Sequence, residues 1–107
     1  MHRYLKVISA TCLIVSTGAH AKNLDKFDVA KCNWGGGMAE LTQGDFLAGK
    51  PLAQLLKELR QVKYPKPWMP SAAAEIAQIT YEGNSREAPA TMKAIYIDGC
   101  IQHELSK

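Results

Sequence analysis

No stretch of eighteen apolar residues occurs in the chain, which excludes a full membrane-spanning helix from the sequence as read. Basic side chains outnumber acidic ones only by 13 to 10, too narrow a margin for the electrostatic footprint of a nucleic-acid binder. Cysteine is sparse, with three in 107 residues, and no C-x-x-C pair of the redox type is present. Histidine is equally sparse, with three. Beyond residue 21 only Cys32, Cys100 and His103 remain as soft ligands, short of the four that structural zinc needs, so no metal or other cofactor is expected. The glycine run Gly35-Gly36-Gly37 is not followed by Gly-Lys-Ser/Thr and no strand precedes it, so it is not a phosphate loop. No nucleophile elbow surrounds Ser71, Ser85 or Ser106, and His103 is the one candidate base. Glu75, Glu82 and Asp98 read as solvated helix-surface carboxylates rather than a glycosidase pair. No catalytic residue is assigned, and the expectation is a protein that is not an enzyme.

What is present begins with an address. Residues 1–21 carry Arg3 and Lys6, then a short apolar stretch from Val7 to Val15, then the small-x-small sequence Ala19-His20-Ala21. This is the layout of a secretory signal peptide cut after Ala21. Cys12 does not suit a lipoprotein anchor, because Ser9 stands where a lipobox wants an apolar side chain. The expectation is therefore an exported protein, periplasmic or secreted, without a stable membrane anchor after cleavage. Its single domain would be residues 22–107. Loss of Arg3 and Lys6 takes the formal net charge from +3 to about +1, so much of the apparent basicity is targeting charge.

In an oxidising compartment Cys32 and Cys100 are the expected disulfide pair, Cys12 having left with the leader. The bridge would close a loop of roughly 70 residues, for which chain entropy gives about 4 kcal/mol. For a domain of this size that is a large share of net stability.

The chain between the cysteines reads as helices. Residues 22–31 form a lead-in, and a first helix is expected over about 32–48; its three glycines weaken it and serve close helix approach or flexibility, the alternative being a glycine loop with the helix starting near Met38. Gly49 stops it. Leu52, Leu55, Leu56, Leu59 and Val62 make one apolar stripe on a second helix over about 51–63. Tyr64-Pro65-Lys66-Pro67-Trp68-Met69-Pro70 is a stiff connector. A third helix follows over about 70–82, its Ala72, Ala73, Ala74, Ile76, Ala77, Ile79 and Tyr81 suited to tight packing, and Gly83-Asn84 ends it. Ser85 is the expected N-cap of a fourth helix with two apolar faces, the mark of a helix at the centre of a bundle. The fold class is all-α: about four helices stapled by one disulfide and preceded by a signal peptide.

Within the connector, Lys63, Tyr64, Lys66 and Trp68 are the candidate partner-binding residues, since aromatics on a low-entropy segment serve as binding hot spots. The competing reading is that Trp68 folds back as a core plug, and Trp34 is expected to plug the core against the bridge.

Cys32-Asn33-Trp34 near the mature start, the Gly49-Lys50-Pro51-Leu52 turn into a Leu-rich helix, Ala73, Ile76 and Thr80-Tyr81 on the third helix, and Tyr96-x-x-x-Cys100 form one layout. It resembles small exported disulfide-containing helical proteins of proteobacteria and their phages, and in particular the Spackle type of periplasmic lysozyme inhibitor. The resemblance implies a helical periplasmic protein that binds an enzyme, and it transfers no inhibitory residue. The expected function is an inhibitor or immunity protein whose partner is a peptidoglycan-degrading, cell-wall-active enzyme. A periplasmic stress chaperone, or an accessory subunit of an envelope secretion or conjugation system, is the alternative.

Overall fold

Asp25 and Asp28 start the first helix. The Asp25 carboxylate accepts the Asp28 backbone N–H at 2.8 Å, and α1 then runs Lys26–Leu47, with Asp28 in the first turn where the helix dipole favours a negative charge. Residues 23–107 are described by this computed structural model; the expected signal peptide, residues 1–21, lies outside them. The helix takes in the expected lead-in from Lys26 onward and the glycine run, so it begins earlier than propensity suggests. It ends in a Schellman motif: Gly49 adopts φ +84°, its N–H donates to the Phe46 carbonyl, and the Lys50 N–H donates to the Asp45 carbonyl.

The second helix, α2, spans Leu52–Arg60 behind Pro51. It is shorter than the leucine stripe implies, because the Leu59 carbonyl accepts both the Val62 N–H at 3.3 Å and the Tyr64 phenol at 2.9 Å. Val62 is consequently outside the helix and exposed. After the proline connector, α3 spans Met69–Gly83 and closes on Asn84 in the left-handed conformation. The last helix, α4, spans Pro89–Leu105, with Ala88 as its N-cap and Pro89 at the first helical position. Ser85 does not cap it; its Oγ accepts the Glu87 N–H in the preceding linker.

The described residues thus form four helices. The main apolar cluster is Leu55 and Leu59 of α2 against Ala73 and Ala77 of α3, with Trp34, Met38 and Tyr81 packed around it. Alanines on α3 let α2 approach closely while the α1 aromatics fill the remaining space. A buried polar contact ties α1 to α3, the Thr42 and Thr80 hydroxyls meeting at 3.1 Å.

The central helix is α1, not the last one. It packs against α4 along one side and against α3 and, more slightly, α2 on the other, while no Cα of α3 comes within 8 Å of a Cα of α4. The α1–α4 contact is made by small residues. Gly35 and Gly36 are buried, and a Cβ on Gly35 would collide with the Tyr96 ring, one on Gly36 with the Ile97 side chain. Close approach therefore explains the first two glycines of the run. The disulfide pins the same interface: Cys32 and Cys100 are bonded, with their Cα atoms 5.6 Å apart and 68 positions apart in the chain.

Candidate functional site

Because α3 and α4 both lean on α1 while their backbones stay apart, a trough is left between them. Its apolar end, about 260 Å³, is lined by Ile76 and Ile79 of α3, Met92, Ile95 and Tyr96 of α4, and Ala39 of α1 at the floor. Its polar end, about 570 Å³, is lined by Trp68, Ser71, Glu75, Tyr96, Cys100, His103, Glu104 and Lys31 among others. The two ends meet at Ile95 and Tyr96. Helical spacing produces this surface: Glu75, Ile79 and Glu82 share one stripe of α3, and Thr91, Ile95, Asp98 and Gln102 one stripe of α4.

Two isoleucines depart from the sequence expectation of tight packing. Ile79 is 61% exposed and Ile95 57% exposed, although both sit beside a buried neighbour face. Isolated apolar side chains on a surface are ordinary, but these two face the same trough. The signal was present in the sequence, since Glu75 and Glu82 lie one turn on either side of Ile79 and mark a solvated stripe.

The linker between α3 and α4 is fixed from inside. Gln43, fully buried on α1, donates from Nε2 to the Ser85 carbonyl at 2.9 Å and the Glu87 carbonyl at 2.8 Å. Two carbonyl acceptors settle which way the amide faces. The trough is thereby held open at one end by Gln43 and at the other by the disulfide.

Electrostatics at the polar end are set by pairing. A hydrogen bond from Lys107, at 2.9 Å, holds the buried Glu104 carboxyl below its ordinary range, and the charges of Lys107, Lys31 and His103 act in the same direction. Burial raises the Tyr96 phenol, and the neighbouring Glu75 carboxylate adds to that, so the phenol is un-ionised at neutral pH. His103 lies in the last turn of α4, where the helix dipole favours a cation. Cys100 is committed to the disulfide. No group of three or more His, Cys, Asp or Glu side chains placed to hold a metal ion occurs among the described residues. The chemistry such a trough offers is apolar recognition with charged margins.

The connector residues separate into two kinds. Tyr64 and Trp68 are half-buried and turn toward Trp34, the ring centroids of Trp34 and Trp68 lying 5.2 Å apart and those of Trp34 and Tyr64 6.4 Å apart, both edge to face. Phe27 extends the stack at 6.3 Å from Trp68, and Lys31 stands over the indole at 5.7 Å. Lys63 and Lys66 are exposed. The connector aromatics thus share one cluster with Trp34, while its two lysines stay outside. Trp34 packs on the α2–α3 cluster and on Trp68, as a core plug. Trp68 also contributes to the trough, at its polar end.

Compared with known protein families, characterised proteins and solved structures, the chain finds no significant match.

Proposed function

We propose that this is an exported binding protein, an inhibitor or immunity protein for a cell-wall-active enzyme, and that it recognises its partner through the trough between α3 and α4. The observation that carries this reading is the pair of exposed isoleucines, Ile79 and Ile95, facing one trough on helices fixed at both ends. Apolar anchors on a preorganised surface recover binding free energy that a mobile surface would lose to ordering. Both side chains are exposed in the folded state, so recognition requires no unfolding. That favours a standing binder over a chaperone switched on by acid. The disulfide and the signal-like first 21 residues are compatible with export.

The test is inhibition of a panel of peptidoglycan hydrolases, lysozymes and amidases included, by the oxidised protein. A stoichiometric complex with one of them, weakened at least about tenfold by Ile79→Ser with Ile95→Ser, is the expected result. Absence of complex and of inhibition across the panel contradicts the reading.

A further inference from the structure

We infer that the Cys32–Cys100 bridge exchanges with an external protein dithiol, and that Cys100 is the sulfur attacked while Cys32 is the sulfur that leaves. This chemistry is independent of the recognition role proposed above. Access separates the two cysteines. Cys32 has no exposed surface, so its Sγ is out of reach while α1 and α4 are packed. Cys100 is half-buried and lines the polar end of the trough, from which a thiol can approach it. The course of an exchange depends on which sulfur the attacking thiolate can reach. Local charge does not decide the choice, because Lys31 lines the same end as Glu75 and Glu104.

Two successive exchanges open the bridge. In the first, the partner's thiolate sulfur bonds to Cys100 Sγ, the bond between the two cysteines breaks, and Cys32 Sγ leaves with the electron pair and takes up a proton. In the second, the partner's other thiolate attacks the partner sulfur of the mixed disulfide, and Cys100 leaves as a thiolate that is protonated in turn. Two electrons and two protons have passed from the partner to the bridge, and the partner's dithiol has become a disulfide. The reverse sequence, from the oxidised partner and the Cys100 thiolate, closes the bridge. The fold selects a dithiol over a monothiol. After the first exchange α4 is still docked on α1, with Tyr96 on Gly35 and Ile97 on Gly36, and Gln43 still holds the linker before it. Cys32 therefore stays beside Cys100, their Cα atoms 5.6 Å apart in the closed bridge, and recloses on it, expelling a monothiol. A second thiol on the attacking partner competes with that reclosure, because it too acts at high effective concentration.

The experiment treats the oxidised protein, produced from the full chain, with reduced glutathione and, separately, with a thioredoxin-fold dithiol oxidoreductase whose second active-site cysteine is replaced by Ser. Acid quenching at early times and peptide mass spectrometry locate each mixed disulfide, with any adduct on Cys12 read separately. The expected result with both probes is adduct on Cys100 in at least about tenfold excess over Cys32. In concentrated urea that excess disappears, because both sulfurs are then exposed. The oxidoreductase with both its cysteines opens the bridge at least about tenfold faster than glutathione at equal thiol concentration. The mapping needs no substitution in this chain, so no variant has to fold. Equal labelling of the two cysteines in the folded protein, an excess that persists in urea, absence of any adduct on Cys100 without urea, or glutathione as fast as the dithiol would overturn the inference. The hydrolase panel reads a different property, so either result can fail without the other.

Discussion

Along Gly35-Gly36-Gly37 the first two residues lie under Tyr96 and Ile97, while a Cβ on Gly37, or on Gly99 of α4, would meet nothing within 4 Å. The same substitution should therefore have opposite signs a residue apart. Gly35→Ala and Gly36→Ala must displace a Tyr96 ring or an Ile97 side chain already packed on α1, and should destabilise by about 1–3 kcal/mol. Gly37→Ala and Gly99→Ala gain helix propensity in open space and should stabilise by about 0.5–1 kcal/mol. Urea midpoints at unchanged slope check both. Ionisable side chains set a pH window in the same residue-by-residue way. The Lys50 hydrogen bond, at 2.6 Å, lowers the Glu58 carboxyl, as Lys107 lowers Glu104. A depressed folded-state pKa contributes stability that is present above the ordinary carboxyl value and lost as the pH falls through the folded value. Tyr64, Tyr81 and Tyr96 are raised by burial, and the first two donate to the Leu59 and Lys50 carbonyls. A raised phenol contributes stability below the ordinary tyrosine value, lost as the pH rises through the folded value. Thermal midpoints should thus hold a plateau at neutral pH and fall on both sides, below about pH 4.5 and above about pH 10. Tyr64→Phe with Tyr81→Phe should soften the alkaline limb.

At the scale of elements, α4 is held from one side, through its interface with α1. Its backbone approaches that of α1 alone among the helices, and Glu104 is its one buried residue. Its anchors are the Cys32–Cys100 bond and the Gln43 hydrogen bonds to the linker before it. Reduction should therefore release α4 before the α1–α2–α3 cluster. Hydrogen exchange on the reduced protein should quicken across Pro89–Leu105 while Leu55, Leu59 and Ala73 stay protected, with an overall loss of about 4 kcal/mol or less. Uniform loss of protection contradicts that order. This division also marks what was legible in the sequence. The α2 stripe was readable because its leucines face one side only, and the Gly49 and Asn84 stops because their chemistry is local. The disulfide followed from the cysteine count and the expectation of export. The start of α1 was written as Asp25-x-x-Asp28, but residues 22–31 read as a lead-in and the glycines as a weak point, and nothing in one helix reveals that another will pack onto its glycines. The two apolar faces of α4 suggested a central position; both meet α1, one through Tyr96 and Cys100 and the other through Ile97, while Ile95 at the edge of the first opens on the trough. The trough itself belongs to no single segment, since it exists only because α3 and α4 stay apart.

For the whole molecule, the two sides of α1 have different roles. On one, aromatic and leucine side chains of α1, α2 and α3 build the core. On the other, small residues and a disulfide set the approach of α4 to α1, which leaves apolar side chains facing the trough between α3 and α4. A rigid surface of that kind binds without first ordering itself, which is the physical basis of the proposed recognition role. The direct measurement is in-cell photocrosslinking from single positions: a photoreactive amino acid replacing Ile79, Ile95 or, as the control outside the trough lining, the exposed Lys57 of α2. The account predicts that positions 79 and 95 both capture one peptidoglycan-degrading enzyme of the envelope and that position 57 does not. Capture of that enzyme from position 57 alone, or capture from 79 and 95 of nothing but this chain, would contradict it.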